Sequence, residues 1–330
     1  MAEPLKTVLA GDIGGTKTRI GLFEARAEGL RVVDEQTFAS ADFDGLEGII
    51  DQFLAGRDVG CAAACCGIAG PIDGRRVRVT NLPWVVDADD LERETGIASI
   101  VLVNDLEATA WGVTELAPGA LVTLNRGRPG ALGNGAVIAA GTGLGEAGMF
   151  WDGSFMRPFG CEGGHTSFSP TSGLSDRLLD YLRGRYETVS WERVLSGPGL
   201  ADLYRFMLAE AGQAEPEWFV EAQRRGDPTP AVSAAGLNSE CEVCATTLDV
   251  FARLYGEEAG NLALKVMATG GVWIGGGIAP KILPVLERGT FLEGFLAKGR
   301  MRSLLESMPV HVILDDRAAL IGAARCAATL

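Results

Sequence analysis

The sequence predicts an α/β protein of two domains, and three observations carry that expectation. Apolar strands end repeatedly in glycine-rich turns, at residues 11–15, 141–145 and 275–277. Segments with helical apolar spacing alternate with continuous small-apolar runs, the pattern of strands covered on both faces. The second half also repeats the strand, glycine turn, strand order of the first. At 330 residues, two domains with sizeable cores are the natural expectation.

The first half begins with Val8-Leu-Ala-Gly-Asp12-Ile-Gly14-Gly15-Thr16-Lys17-Thr18-Arg19, followed by Ile20-Gly21-Leu22-Phe23. This reads as a β-hairpin over residues 7–23 with a tip that is nearly all backbone. Arg31–Phe38 reads as a third strand. Leu46, Ile49, Ile50, Phe53 and Leu54 fall on one helix face, and Gly56 is placed to end it. Val59–Ile68 reads as a buried strand and Val77–Thr80 as another, followed by the turn Asn81-Leu-Pro83-Trp84. A helix over Asp87–Thr95 stops at Gly96, and Ile100–Val103 is again a buried strand.

In the second half, Ala136–Ala140 runs into Gly141-Thr142-Gly143-Leu-Gly145, with an extended pattern resuming at Gly148–Trp151. Ser175–Arg185, Ser190–Leu195, Gly199–Ala209 and Cys244–Met267 read as helices. Residues 210–240 read as a surface excursion anchored by a short helix at Trp218 and Phe219. Gly270–Gly277 is a buried strand entering a glycine turn, and Val310–Leu314 is a strand before a helix from Asp316. With no low-complexity linker, the boundary is set at 1–115 plus 316–330 for a small domain and 116–315 for a large one.

Composition excludes several classes of function. Apolar residues make up 47% and charged residues 22%, and the net charge is −14. A surface of that sign repels phosphate backbones, so nucleic acid is not expected as a partner. No uncharged apolar run reaches the roughly 18–20 residues of a membrane span. Residues 1–10 lack the pattern of a secretory leader. The seven cysteines include Cys65 and Cys66 in an apolar run, as in a reducing compartment, so a cytoplasmic protein is expected. Cys241 and Cys244 form a single CxxC, which with His165 and His311 does not make a structural zinc site.

The glycine turns suggest phosphate chemistry. Gly14 and Gly15 have no Cβ, so their N–H groups can cradle an anion. Asp12 beside such a cradle calls for a cation, and Mg²⁺ is the simplest one that arrives with phosphate. The rival reading is a turn that merely joins two strands. Gly141-Thr142-Gly143 offers N–H groups and a hydroxyl, and Gly275-Gly276-Gly277 lets backbone approach a flat base. Gly143-Leu-Gly145-Glu-Ala-Gly148 matches GxGxxG formally, but Met149-Phe150-Trp151 continues as a strand where a dinucleotide fingerprint needs a helix. No GxxxxGK[ST] motif occurs.

Two polar clusters complete the site. Asn104-Asp105 follows a buried strand, at the edge where open α/β sheets bind ligands. Asp105 there can take a proton from an attacking hydroxyl, or cap the helix that follows. Pro158-Phe-Gly160-Cys-Glu162-Gly-Gly-His165 places a Glu and a His where they can hydrogen-bond a polyhydroxylated ligand. A structural role for His165 is the alternative. Glu192, in Trp191-Glu192-Arg193-Val-Leu-Ser196-Gly-Pro-Gly199, also reads as a first-turn acid favoured by a helix dipole.

Together these motifs resemble the bacterial glucokinases of the hexokinase-like family, over nearly the whole chain. Gly11-Asp12-Ile13-Gly14-Gly15-Thr16 looks like the first phosphate motif of that family, Gly141–Gly145 the second and Gly270–Ile278 the adenosine motif. Asn104, Asp105, Glu162, His165 and Glu192 fall on its sugar-binding positions. The resemblance implies the actin-like ATPase (ribonuclease H-like) fold, with ATP and sugar in a cleft between two α/β domains and the last helix returning to the first. It also implies phosphoryl transfer from MgATP to the 6-hydroxyl of glucose. Asp105 would be the base, Asp12 would reach Mg²⁺, and a homodimer is a family expectation. The related repressor/kinase family carries a cysteine-rich zinc motif that this chain lacks, which favours the zinc-free branch. A kinase for another hexose, a sugar-sensing protein of the same fold, and a chaperone-like ATPase are the competing readings.

Overall fold

The chain forms two compact units in a computed structural model that describes residues 6–26, 29–57 and 60–330. The first unit comprises residues up to Ala120 together with 157–160 and 315–330; the second comprises 121–156 and 161–314. Residues 116–120, 157–160 and Asp315 therefore group differently from the boundary drawn on the sequence.

In the first unit the opening hairpin is β1 (Lys6–Ile13) and β2 (Lys17–Arg26), followed by β3 (Gly29–Ala39). Two strands then run parallel to β1, namely β4 (Ala63–Ile68) and β8 (Ile100–Asn104), in the order β3-β2-β1-β4-β8. Val59, read as the start of β4, lies outside the described residues. Between β4 and β8 lie β5 (Ile72–Asp73), β6 (Arg76–Arg78) and β7 (Val85–Asp87), a small antiparallel sheet. Helix α1 (Leu46–Leu54) buries Leu46, Ile49, Ile50 and Phe53, the face its spacing predicts. Helix α2 (Ala88–Thr95) is capped by the Asp87 carboxylate and ends at Gly96, whose φ is 73°.

The second unit repeats this plan. Strands β10 (Gly135–Ala140), β11 (Leu144–Trp151) and β12 (Met156–Cys161) form the meander, and β13 (Gly271–Gly275) and β14 (Val310–Ile313) run parallel to β10. The order is β12-β11-β10-β13-β14-β9, with β9 (Leu121–Asn125) as an antiparallel edge. Neither β9 nor β12 was read from the sequence, because both are only partly buried and lack a clean alternation. Strand β11 begins at Leu144, directly after the glycines.

The helices of the second unit supply its largest core. They are α4 (Gly173–Arg183), α5 (Gly197–Glu210), α6 (Glu217–Arg224), α7 (Thr229–Leu237) and α8 (Glu242–Val266), then α9 (Leu283–Leu286), α10 (Thr290–Leu296) and α11 (Arg302–Glu306). The expected surface excursion at 210–240 holds two helices: α6 is the short helix expected at Trp218 and Phe219, with Phe219 fully buried against Tyr204, and α7 corrects the remainder. The expected helix at Ser190–Leu195 is corrected to a single 3-10 turn, Trp191–Arg193. It stops because Ser196 leaves the helical path to cap α5, accepting from the Gly199 N–H at 3.1 Å. Cys241 caps α8 through its Sγ, 3.2 Å from the Cys244 N–H, so the CxxC serves a helix end.

Two helices back the first sheet. Helix α3 (Asp105–Gly112) starts at the end of β8, and α12 (Ala318–Ala328) packs on α3, β1 and β4. Their backbones nearly touch: a Cβ on Gly322 would lie 1.7 Å from the Ala108 carbonyl oxygen, and one on Gly112 would lie 2.0 Å from that of Ala318. Gly322→Ala is therefore expected to destabilise the chain by roughly 1–3 kcal/mol through overpacking. Denaturant unfolding reads this directly, and an unchanged midpoint would contradict the crossing of α3 and α12.

Candidate active site

In the first unit the residues singled out from the sequence gather at the carboxyl ends of β1 and β8. The hairpin turn is closed by the Gly14 N–H donating to the Lys17 carbonyl at 3.0 Å. Ser40 braces this turn: its N–H donates to the Thr16 carbonyl at 3.1 Å, its hydroxyl donates to the Gly14 carbonyl at 2.9 Å, and Thr18 Oγ1 lies 3.0 Å from its Oγ. Gly15 faces Asn81, for a Cβ there would be 3.1 Å from the Asn81 Cβ. Thr16 is exposed at the tip, while Ile13 turns its side chain fully into the core. Gly11 also serves packing, since a Cβ on it would lie 2.7 Å from the Ile13 Cδ1. No sequence signal marked Ser40, and Asn81 is marked only as the start of a turn.

Asn104 and Asp105 divide the two roles weighed for Asp105. Asn104 is the N-cap of α3, its Oδ1 accepting from the Leu106 N–H at 2.9 Å, and Asp105 is the first helical residue. Gly67 on β4 brings this helix start close to β1: a Cβ on it would lie 3.8 Å from Asp105 Cα and 3.7 Å from the Gly11 carbonyl oxygen. Asp12 pairs with Gly67 in the sheet register. Burial above all, with Asp105 and Asp316 adding and Arg19 opposing, raises the Asp12 carboxyl to about 6. Arg19 is held by Asp316 at 3.0 Å and by Glu35 at 3.5 Å. A half-buried acid with a second acid nearby suits a cation bound beside an anion.

The second unit assembles the remaining residues around the ends of β10, β11 and β13. The 141–143 turn is tight, with the Gly141 N–H donating to the Gly143 carbonyl at 2.8 Å. The Gly197 N–H at the start of α5 donates to the Gly141 carbonyl at 2.8 Å. Gly276 has a φ of 80°, and a Cβ on it would lie 2.3 Å from the Ala140 carbonyl oxygen, so glycine alone fits there. Tyr255 ties the two glycine turns together from below. Its hydroxyl accepts from the Ala140 N–H at 3.0 Å and can donate to the Ile138 or Gly275 carbonyl, at 3.2 and 3.3 Å. A tyrosine in an apolar helix gave no sequence cue to that task.

Gly141, Thr142 and Gly277 line one side of a cavity of about 610 Å³ within this unit. That volume lies within the usual range for a small-molecule site, about 300–1,000 Å³. The opposite wall is organised by Asp202, which accepts from Tyr186 at 2.5 Å and pairs with Arg205 at 2.9 Å and Arg185 at 3.2 Å. Helix α6, expected at Trp218 and Phe219, contributes Gln223 to it, α7, which the sequence analysis does not expect, contributes Thr229, and the loop between them contributes Asp227.

Glu162, His165 and Glu192 meet beside the same turn. His165 Nε2 lies 3.8 Å from Glu162 and its Nδ1 lies 3.9 Å from Glu192. Glu192 Oε2 accepts from the Leu144 N–H at 3.1 Å, and a Cβ on Gly143 would sit 2.4 Å from that oxygen. Glu162 and His165 are about two-thirds exposed, with Glu192 more enclosed at 29%. Three acceptor and donor groups at the mouth of a phosphate-type turn can bind several hydroxyls of one ligand.

The model of the family described as Glucokinase matches residues 9–330. A glucokinase of Nostoc punctiforme is 41% identical, over 98% of this chain and 99% of its own. One from Caulobacter vibrioides is 36% identical over 96% and 93%. The crystal structure of a glucokinase from an Antarctic psychrotroph superposes with a TM-score of 0.88 at 33% identity, covering 98% of this chain and 99% of that one. A repressor/kinase (ROK) family glucokinase from Streptomyces griseus, in complex with glucose and AMPPNP, shares the fold with a TM-score of 0.62 at 22% identity, over 98% and 100%. The chain is thus an α/β protein of the actin-like ATPase class found in sugar kinases. It belongs to the glucokinase family.

Tyr255→Phe removes the acceptor for a buried N–H and is expected to cost about 1–3 kcal/mol of stability. Thermal or urea unfolding checks this; an effect below a few tenths of a kcal/mol would mean that the two glycine turns do not depend on the hydroxyl.

Proposed function

We propose that this chain transfers the γ-phosphoryl group of MgATP to the 6-hydroxyl of glucose, giving glucose 6-phosphate and ADP. The observation that carries the reading is the trio Glu162, His165 and Glu192 seated against Gly143 and Leu144, a hydroxyl-binding cluster sharing its backbone with a phosphate-type turn. Membership of the glucokinase family supports glucose as the hexose. The turns at Gly14–Thr16 and Gly141–Gly143 would hold phosphate oxygens through N–H groups, with the hydroxyls of Thr16 and Thr142 adding donors. The cavity beside Gly275–Gly277 would take the adenosine. In this reading the enzyme is cytoplasmic, as its cysteine usage suggests, and acts at the entry to glycolysis as a homodimer, both as the family resemblance implies. Among the described residues no helix is long and apolar enough to cross a membrane.

Asp105 would accept the 6-hydroxyl proton as the sugar oxygen bonds to the γ-phosphorus and the bond to the β–γ bridging oxygen breaks. Its place as first residue of α3 supports that role, because the Asn104 cap and Gly67 fix the helix start. Mg²⁺, when bound, would neutralise charge on the β- and γ-phosphate oxygens. The half-buried Asp12 carboxyl suits it, either directly or through water. In this reading the ion is held largely by phosphate and water. Positioning and charge stabilisation supply most of such catalysis.

Asp105→Ala is expected to lower kcat by roughly 10²–10⁴ while glucose binding by calorimetry persists; near-native turnover would remove the base assignment. Glu162→Gln is expected to raise the KM for glucose and spare that for ATP, since a charged hydrogen bond to one hydroxyl is worth about 1.5–3 kcal/mol. Equal losses for both substrates would contradict its role in sugar binding.

A further inference from the structure

Glu146 is a carboxyl group that the proposed reaction does not use, and it is buried directly beneath the sugar-binding turn. It is 1% exposed, on β11 opposite Ile138. Among the described residues no standing N–H or O–H donor reaches its Oε1. Gly163 rests on it: a Cβ there would be 1.7 Å from Glu146 Oε2 and 2.6 Å from its Cδ. Two residues earlier on the same strand, the Leu144 carbonyl oxygen supports Gly164, where a Cβ would come to 2.0 Å. The Glu162–His165 turn therefore lies on Leu144 and Glu146, with no side chain of its own between.

The groups that face Glu146 decide its charge. From α8 come Glu258, fully buried and within hydrogen-bonding reach, Lys265 and Tyr255. From β12 comes the Cys161 thiol. Glu258 accepts from Asn261 Nδ2 at 2.8 Å and pairs with Lys265 at 3.5 Å, and Lys298 Nζ donates to Asn261 Oδ1 at 2.6 Å. Lys265 draws both carboxyls down, but Asn261 and Lys298 act on Glu258, so Glu146 is the member of the pair that keeps a proton. Burial first, and then the Glu258 charge, push the Glu146 carboxyl up to about 8. Two ionised carboxylates side by side without water would repel each other.

We propose that Glu146, as a neutral carboxylic acid hydrogen-bonded to Glu258, is a positioning residue for the hexose: it seats Gly163, and ionising it displaces the Glu162–His165 turn. The inference rests on the sugar-binding role proposed for that turn. Because the folded state raises this carboxyl, the seated arrangement is complete at neutral pH and is lost as pH rises through about 8. The effect belongs on the alkaline side and on sugar affinity.

The test is the pH dependence of kcat and of the KM for glucose and ATP, from pH 6.5 to 9.5, for the full chain and for Glu146→Gln. If only the protonated form binds sugar, the glucose KM rises about tenfold between pH 7 and 9, with the ATP KM flat. Glu146→Gln, a neutral isostere, keeps a glucose KM within about threefold of the parent at pH 7 and loses the alkaline rise. A flat parent profile, or an alkaline rise that survives in Glu146→Gln, overturns the proposal. Glu258→Gln gives a second reading if the first variant does not fold, because removing the neighbouring charge should move the rise to lower pH; an unmoved rise also overturns it. Glucose turnover with a flat profile rejects Glu146 alone, whereas no glucose-dependent turnover at pH 7 rejects the kinase reading and this inference together.

Discussion

Close approach to glycine backbone, by a neighbouring carbonyl or carboxylate and made possible by missing Cβ atoms, is the constraint on which the arrangement of this protein rests. Gly276 lies against the Ala140 carbonyl, Gly143 against Glu192, Gly164 against the Leu144 carbonyl and Gly163 against Glu146. Each contact removes a layer of side chain between a strand end and the turn beside it. N–H groups and short polar side chains are thereby concentrated where a ligand rich in oxygen can reach them. The same device sets α12 on α3 through Gly112 and Gly322, which backs the sheet carrying Asp12.

The two units use one plan twice, a three-stranded antiparallel meander leading into parallel strands, but they load it differently. The first carries acids at its strand ends, Asp12 and Asp105, balanced by Arg19. The second carries the tight 141–143 turn, the Glu162, His165 and Glu192 trio, and a cavity walled by Asp202 and its arginines. Polar residues beneath these surfaces do the bracing: Ser40 under the first turn, Tyr255 under the second and third. A bracing hydroxyl satisfies backbone groups that would otherwise be buried without partners, a cost of about 1–3 kcal/mol each.

Legibility in the sequence followed how local the cause was. Glycine turns, the β1–β2 hairpin and the α1 and α2 helices were readable, because φ restrictions, apolar spacing and caps act within a few residues. The GxGxxG stretch was readable as a hairpin for the same reason, and β10 and β11 do pair antiparallel there. Helix α7 was not, since its alanines and glycine present no apolar stripe and prolines crowd its start. Ser40, Tyr255 and Glu146 act on partners 26, 115 and 112 positions away, at Gly14, Ala140 and Glu258, and nothing near them in the chain announces it. Candidate ligand residues could be named one by one, but which of them share a turn is a property of the fold.

Whether the chain is a hexose 6-kinase is settled most directly by product analysis. The full chain would be incubated with MgATP and, separately, glucose, mannose, fructose and glucosamine, with ADP and sugar phosphate quantified together. The account predicts equal amounts of ADP and 6-phosphate, sugar-dependent and fastest with glucose. ADP release without sugar, or none with any of the four, would contradict it and leave the fold to serve an ATPase or a sugar sensor.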